Sequence, residues 1–166
     1  MVETSPGPDA AQFRQLLGRF ATGVTVATTL DASGKRVGMT ASAIAAVSLE
    51  PPLVLLCVSP TADFHTALLA SRLYALNVLA SDQEEVSRRF AMDGVDRFAG
   101  VTVTSGRAGV PLIGGAVAHI LCEPWARYDA VGDHTVFVGK VVDGAWFDRK
   151  PLIHYRGGYA TTGGEP

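Results

Sequence analysis

Small and hydroxylated side chains cluster where an ordinary strand would carry bulky ones. The run Gly38-Met39-Thr40-Ala41-Ser42 is followed by Val47-Ser48-Leu49-Glu50-Pro51-Pro52-Leu53-Val54. Such a rim combines an apolar slot with a few hydroxyl and backbone groups, which lets a flat ligand approach the main chain. The two prolines fix the backbone leaving the strand and cannot donate to a ladder. Further on, Gly132-Asp133-His134 is a turn that delivers a histidine to the start of an alternating strand, where its ring can donate to a ligand carboxamide or ring oxygen.

Other segments carry chemistry suited to phosphate. Ser59-Pro60-Thr61-Ala62-Asp63 leads into a helix start, whose free N–H groups attract anions, although Asp63 already places a carboxylate there. Ser81-Asp82-Gln83 repeats the pattern, with Arg88 and Arg89 one helix later. The closing segment, Pro151 to Tyr159, offers Arg156 for a pyrophosphate, Tyr155 and Tyr159 for stacking, and Gly157-Gly158 for a tight bend beside a ligand. Each of these features, taken alone, is equally the polar face or end of an ordinary element.

The elements that must position them follow from periodicity. Asp9 with Gln12 forms a capping box, and Phe13, Leu16, Leu17 and Phe20 make an amphipathic stripe, so a first helix ending at Gly23 is expected to cover a sheet. Val24 to Thr28 and Lys35 to Ala43 read as a hairpin around the turn Asp31-Ala32-Ser33-Gly34. Leu53 to Val58 reads as a strand buried on both faces. Short helices are expected over Thr61 to Leu69 and from a Ser81–Glu84 capping box to Phe90. The remaining strands fall at Leu73 to Leu79, Val101 to Thr104, Ala116 to Cys122, Trp125 to Ala130 (bent from its predecessor at Pro124), Thr135 to Val142 and the Pro151 to Tyr159 segment.

Many short strands with three helices and no βαβ alternation predict a mainly β, α+β fold: an antiparallel barrel with peripheral helices. The 166 residues suit one domain, here 9–160, with tails at 1–8 and 161–166.

Composition narrows the function. Hydrophobic content of 48% and charged content of 18% are those of a globular chain. Neither a basic stripe for nucleic acid nor an apolar run near the roughly 20 residues of a membrane span is present. Met1 to Pro8 lacks the basic residues of a signal peptide, and Cys57 and Cys122 read as free thiols, which together point to the cytoplasm. The four histidines have no metal-ligand spacing, so no metal site is expected. The GxGxxG, GxxxxGK[ST] and GxSxG motifs are all missing, which argues against a Rossmann site, a P-loop and a hydrolase elbow.

The order of the segments is more specific than any one of them. Phe20-Ala21-Thr22-Gly23-Val24-Thr25-Val26, Gly38 to Ser42, Val47 to Val54, Asn77-Val78-Leu79, Phe90-Ala91, Arg97-Phe98, Gly132-Asp133-His134 and Pro151 to Tyr159 together resemble the flavin reductase-like domain family over roughly Phe13 to Tyr159. That resemblance implies an FMN-binding type of split β-barrel, working as a homodimer with flavin near the subunit interface. It implies an NAD(P)H:flavin oxidoreductase, with FMN or FAD as flavin and NADH or NADPH as cosubstrate, that hands diffusible reduced flavin to a partner monooxygenase.

By the same resemblance, Thr40, Ala41, Ser42, Ser48 and Leu49 would meet the isoalloxazine and ribityl chain. Ser59, Ala62, Ser81 and Gln83 would lie toward the phosphate. His134, the catalytic candidate, would line the nicotinamide side with Tyr155, Gly157, Gly158 and Tyr159. The alternatives are a non-catalytic flavin-binding electron carrier and a pyridoxamine phosphate oxidase-like enzyme on the same barrel. Ala43-Ile44-Ala45-Ala46 is smaller than the family's usual residues there, which widens the slot and leaves FMN against FAD open.

Overall fold

The computed structural model describes residues 7–163; the expected tails fall mostly outside them. The first helix, α1 (Ala10–Leu17), begins on the capping box: Gln12 N donates to Asp9 Oδ1, and Asp9 N donates to Gln12 Oε1. It stops earlier than expected, at Gly18, whose N–H donates to Arg14 O. Gly23 belongs instead to β1 (Thr22–Gly23). The apolar stripe covers no sheet: Phe13, Leu16, Leu17 and Phe20 are all more than half exposed, and α1 buries none of its residues. Amphipathic spacing says that a face needs covering and leaves open what covers it.

The chain then lays down β2 (Thr25–Leu30), β3 (Arg36–Ala41), β4 (Ile44–Leu49), β5 (Pro52–Val58), α2 (Asp63–Ala70), β6 (Tyr74–Val78), α3 (Glu84–Phe90), β7 (Val103–Ser105), β8 (Pro111–Ile113), β9 (Ala118–Val131), β10 (His134–Trp146), β11 (Ile153–Tyr155) and β12 (Gly158–Ala160). Seven of these strands make one antiparallel sheet in the order β3-β2-β6-β9-β10-β5-β4. Its two edge strands, β3 and β4, are consecutive in sequence and joined only by Ser42 and Ala43. A twisted sheet whose edges are tied by two residues must curl on itself. Covalent linkage, not a ladder, completes the circuit there, which is what splits the barrel. Smaller sheets, β1-β11-β12 and β7-β8, are attached outside.

The core lies inside this curl. Ala27, Val54, Leu56, Val58, Tyr74, Leu76, Cys122 and Phe137 pack with Phe64 and Leu68 of α2. A second cluster, with Val24, Val26, Leu79, Ile113 and Leu152, seats Phe90 of α3. The β5 strand corrects one expectation. Val54, Leu56 and Val58 are buried, but Leu53, Leu55 and Cys57 are half-buried on the outward face, so β5 is covered fully on one side only.

Three other expectations shift. The α3 helix has no Ser81 capping box; Gln83 stands at the cap position without a side-chain cap. Its amide turns inward, accepting from Ala80 N at 2.9 Å and donating to Gly114 O at 2.8 Å. Two strands bent at Pro124 are one continuous β9, in which the pairing steps from Ala126↔Val138 to Pro124↔Gly139 and leaves Trp125 as the extra residue of a bulge. A bulge is where a sheet tolerates proline. Finally, the terminal bend is made by Arg156 (φ 53°) and Gly157 (φ 79°), with Gly158 already in β12.

Candidate functional site

At the split, β1, the starts of β2 and β4 and the end of β3 enclose a cleft of about 330 Å³. Phe20, Thr22, Gly23, Ala41, Ser42 and Ile44 are among its walls. Ala21, Gly23, Ala41 and Ser42 keep it open because they are small. A Cβ placed on Gly23 would meet nothing within 4 Å, so free space lies directly over the backbone. Thr25 Oγ1 donates to Ala41 O at 2.7 Å and locks the end of β3 to β2.

Beside the cleft, Thr40 Oγ1 donates to Ser87 O at 2.6 Å. The Ser87 hydroxyl lies 2.8 Å from Tyr159 Oη, and the Arg88 guanidinium sits 5.0 Å over the Tyr159 ring. Arg88 also pairs with Glu84 at 2.7 Å. The terminal hairpin reaches this place through β1, with Thr22↔His154 and Gly23↔Ile153 in register. The structure therefore brings Thr40, Ala41, Ser42 and Tyr159 into one neighbourhood. Tyr155, Gly157 and Gly158 lie exposed at the hairpin turn next to it.

A second group gathers around the end of β5. Thr135 pairs with Val58, which sets His134 beside Ser59 at the approach to α2. Ser59 Oγ and Thr61 Oγ1 are 2.9 Å apart, and Ala62 occupies the α2 cap position with no side chain to fill it. His65 Nε2 lies 3.0 Å from the Thr135 hydroxyl, and Asp133 Oδ1 lies 2.7 Å from His134 Nδ1. The hydrogen bond from His134 holds the Asp133 carboxyl below its ordinary pKa. Cys57 N donates to Ala43 O, so the Ser42-Ala43 link borders this group as well.

Two expected contacts stand apart. Ser48 and Leu49 pair with Leu53 and Pro52 at the opposite end of β5. Five residues of strand, roughly 17 Å, separate them from Val58 and hence from His134. Leu49 is 90% exposed, which no residue facing its own barrel would be. Ser81 and Gln83 sit before α3, where Ser81 N donates to Lys150 O and both ends of the Gln83 amide are engaged. Two contributors escaped the sequence reading. Thr22 lines the cleft from a strand of two residues, too short to show periodicity. Ser87 looks like any helix serine, although its i, i+3 relation to Phe90 marks the buried face.

A larger open cleft, about 1250 Å³, lies around Asp31, Lys35, Arg36, Asp63, Thr66 and Arg97; none of the expected site residues lines it, although Asp63 directly follows Ala62. Among the described residues no group of three or more His, Cys, Asp or Glu side chains is placed to hold a metal ion. Likewise, no helix among them is long and apolar enough to cross a membrane.

The architecture is an antiparallel barrel split between β3 and β4, with a small-residue cleft at the split. Residues 17–163 match the flavin reductase like domain, and the chain belongs to that family. It is 42% identical to the reductase subunit HsaB of a flavin-dependent monooxygenase from Rhodococcus jostii (strain RHA1), over 95% of this chain and 80% of that one. It is also 42% identical to an NADH-dependent FAD reductase from Streptomyces globisporus, over 90% of this chain and 84% of that one. The structure of the Streptomyces globisporus NADH:FAD oxidoreductase in complex with NAD and FAD fragments superposes with a TM-score of 0.86 at 40% identity, covering 92% of each chain.

Proposed function

We propose that this protein is an NADH-dependent flavin reductase that supplies reduced FMN or FAD to a partner monooxygenase. The observation that carries the reading is the cleft at the barrel split, bounded by the small side chains of Ala21, Gly23, Ala41 and Ser42. The relatives support it: they include an NADH-dependent FAD reductase and an FMN reductase (NADH), so both flavins belong in the test.

The cleft fits a flavin. Open space over Gly23 admits a ring against the backbone, and Thr22, Ser42 and the rim carbonyls supply polar groups at its edge. When bound, the flavin accepts hydride from the nicotinamide ring, and the chemistry is its own. The protein's part is orientation and exclusion of water. Thr40, Ala41 and Ser42 would seat the ring, with Ser59 and the open α2 start receiving the phosphate. His134, its Nδ1 side engaged by Asp133, would present Nε2 to the nicotinamide carboxamide.

The separation of Ser48 and Leu49 from His134 supports a homodimer. All three can serve one ligand only if a second copy supplies one side. The bare apolar stripe of α1 and the exposed Leu49 are surface such a copy would cover. The unpaired Cys57 and Cys122 suit the reducing cytoplasm. The test is NADH oxidation with FMN, FAD and riboflavin each in excess. Turnover that saturates with added flavin is expected; no turnover while flavin binds would favour an electron carrier.

A further inference from the structure

We propose that Ser87 is a positioning residue for the flavin site, acting through Tyr159. The inference rests on the reading above that Thr40 seats the flavin ring and that Tyr159 lies beside that site.

Ser87 is a fully buried hydroxyl residue in the middle of α3. Its place relative to β3 is set by two matched contacts. One turn along the same helix face, Phe90 packs on Gly38, where a Cβ would come within 2.7 Å of Phe90 Cε1. Two residues along the same strand face, Thr40 donates to the Ser87 carbonyl at 2.6 Å. Spacing of three on a helix meets spacing of two on a strand, so α3 and β3 are in register over both pairs. The second buried aromatic contact, Phe90 on Phe98 at 4.9 Å, fixes the helix from its other side.

The Tyr159 ring packs on the edge of the second core cluster, which leaves its phenol oxygen to be placed. Tyr159 sits in the three-residue β12, which pairs only with β11, itself attached to β1 by two residue pairs. Short terminal strands with few ladder bonds open most readily. What aims the phenol is therefore the Ser87 hydroxyl at 2.8 Å, helped by Arg88 over its face and the His154 ring edge at 5.8 Å. A helix fixed on β3 thus carries the hydroxyl that holds the phenol of a terminal hairpin, which is itself tied to the barrel by Leu152 and Arg156. Among the described residues, Ser87 alone bonds both Thr40 and Tyr159.

The test compares flavin KM and kcat for NADH oxidation in Ser87→Ala, Tyr159→Phe, Tyr159→Ala and the Ser87→Ala/Tyr159→Phe double variant, with melting temperatures alongside. Ser87→Ala and Tyr159→Phe should each raise flavin KM about fivefold, the size of one lost hydrogen bond, with kcat at saturating flavin within about twofold. The double variant should be no worse than either single one, because both remove the same bond. A lower melting temperature with unchanged flavin KM in Ser87→Ala would make Ser87 merely structural and overturn the proposal. Should Ser87→Ala fail to fold, Tyr159→Phe deletes the bond from the surface side. If Tyr159→Ala then raises KM while Tyr159→Phe does not, the ring matters without Ser87, and the proposal falls alone. If neither Tyr159 variant changes KM, Tyr159 is outside the site, and the reading beneath the proposal falls with it.

Discussion

His134 is the residue whose role the geometry narrows most. Its Nδ1 faces the Asp133 carboxylate, which leaves Nε2 to a ligand, and neither residue bears on the core. His134→Ala should slow NADH oxidation about tenfold or more with flavin affinity nearly unchanged. An unchanged rate would remove His134 from the reaction. The pairing also has a pH signature. The Asp133 pKa is lowered by its hydrogen bond to His134, so the bond is complete above the ordinary carboxylate range and is lost as pH falls through the depressed value. An Asp133→Asn variant should lose the steepest part of the acid limb of the rate profile, and an acid limb identical to wild type would count against the pairing. At this scale the sequence was partly legible. The Thr40-Ala41-Ser42 run announces a small-residue rim because side-chain size and hydroxyl content are read directly. Ser87 and Thr22 were invisible, since their importance comes from what tertiary packing places opposite them.

At the scale of elements, turn and cap chemistry was readable where it stays local, whereas the expected Ser81 capping box is absent: Gln83 stands at the cap, its amide engaged by Ala80 N and Gly114 O. Asp31 accepts from Ser33 and Lys35 in the expected hairpin turn, and the Asp9–Gln12 box forms. What failed was non-local. The β9 strand passes through Pro124 because a bulge at Trp125 keeps it paired with β10, and the local sequence does not report that pairing. Gly139 faces the bulge for a steric reason: a Cβ there would overlap the buried Tyr74 hydroxyl. Gly139→Ala should therefore destabilise the fold by about 3 kcal/mol, as overpacking does, measured by denaturant unfolding. Tyr74 Oη is buried without a hydrogen-bond partner among the described residues, so Tyr74→Phe should cost little by itself and should recover part of the Gly139→Ala loss, the ring carbon at 2.8 Å remaining in the way. Additive losses in the double variant would show that the clash lies elsewhere.

At the scale of the molecule, the exposed stripe of α1 and the separated halves of the expected site lead to the same expectation of a paired assembly. Leu16→Glu with Leu17→Glu should convert a dimer into monomers in sedimentation analysis and lower turnover with it. A wild-type monomer at working concentration would contradict the shared site. The Cys122 thiol reports on the barrel interior. Burial pushes the Cys122 pKa up to about 12, against an ordinary value of 9.0, so its neutral form favours the folded state. That contribution is complete below about pH 9 and declines as pH rises toward 12. A thiol reagent at mildly alkaline pH should leave Cys122 unmodified until denaturant is added. Rapid modification of Cys122 in the native protein would mean that the core is open.

In the proposed function flavin is a substrate that leaves reduced, not a resident group. The most direct measurement is anaerobic mixing of the protein with NADH and a large molar excess of FAD or FMN, following loss of the oxidised flavin absorbance. Reduction of many flavins per chain, with reduced flavin recovered in the protein-free filtrate, is the predicted result. Bleaching that stops at one flavin per chain, or fails to begin, would contradict it.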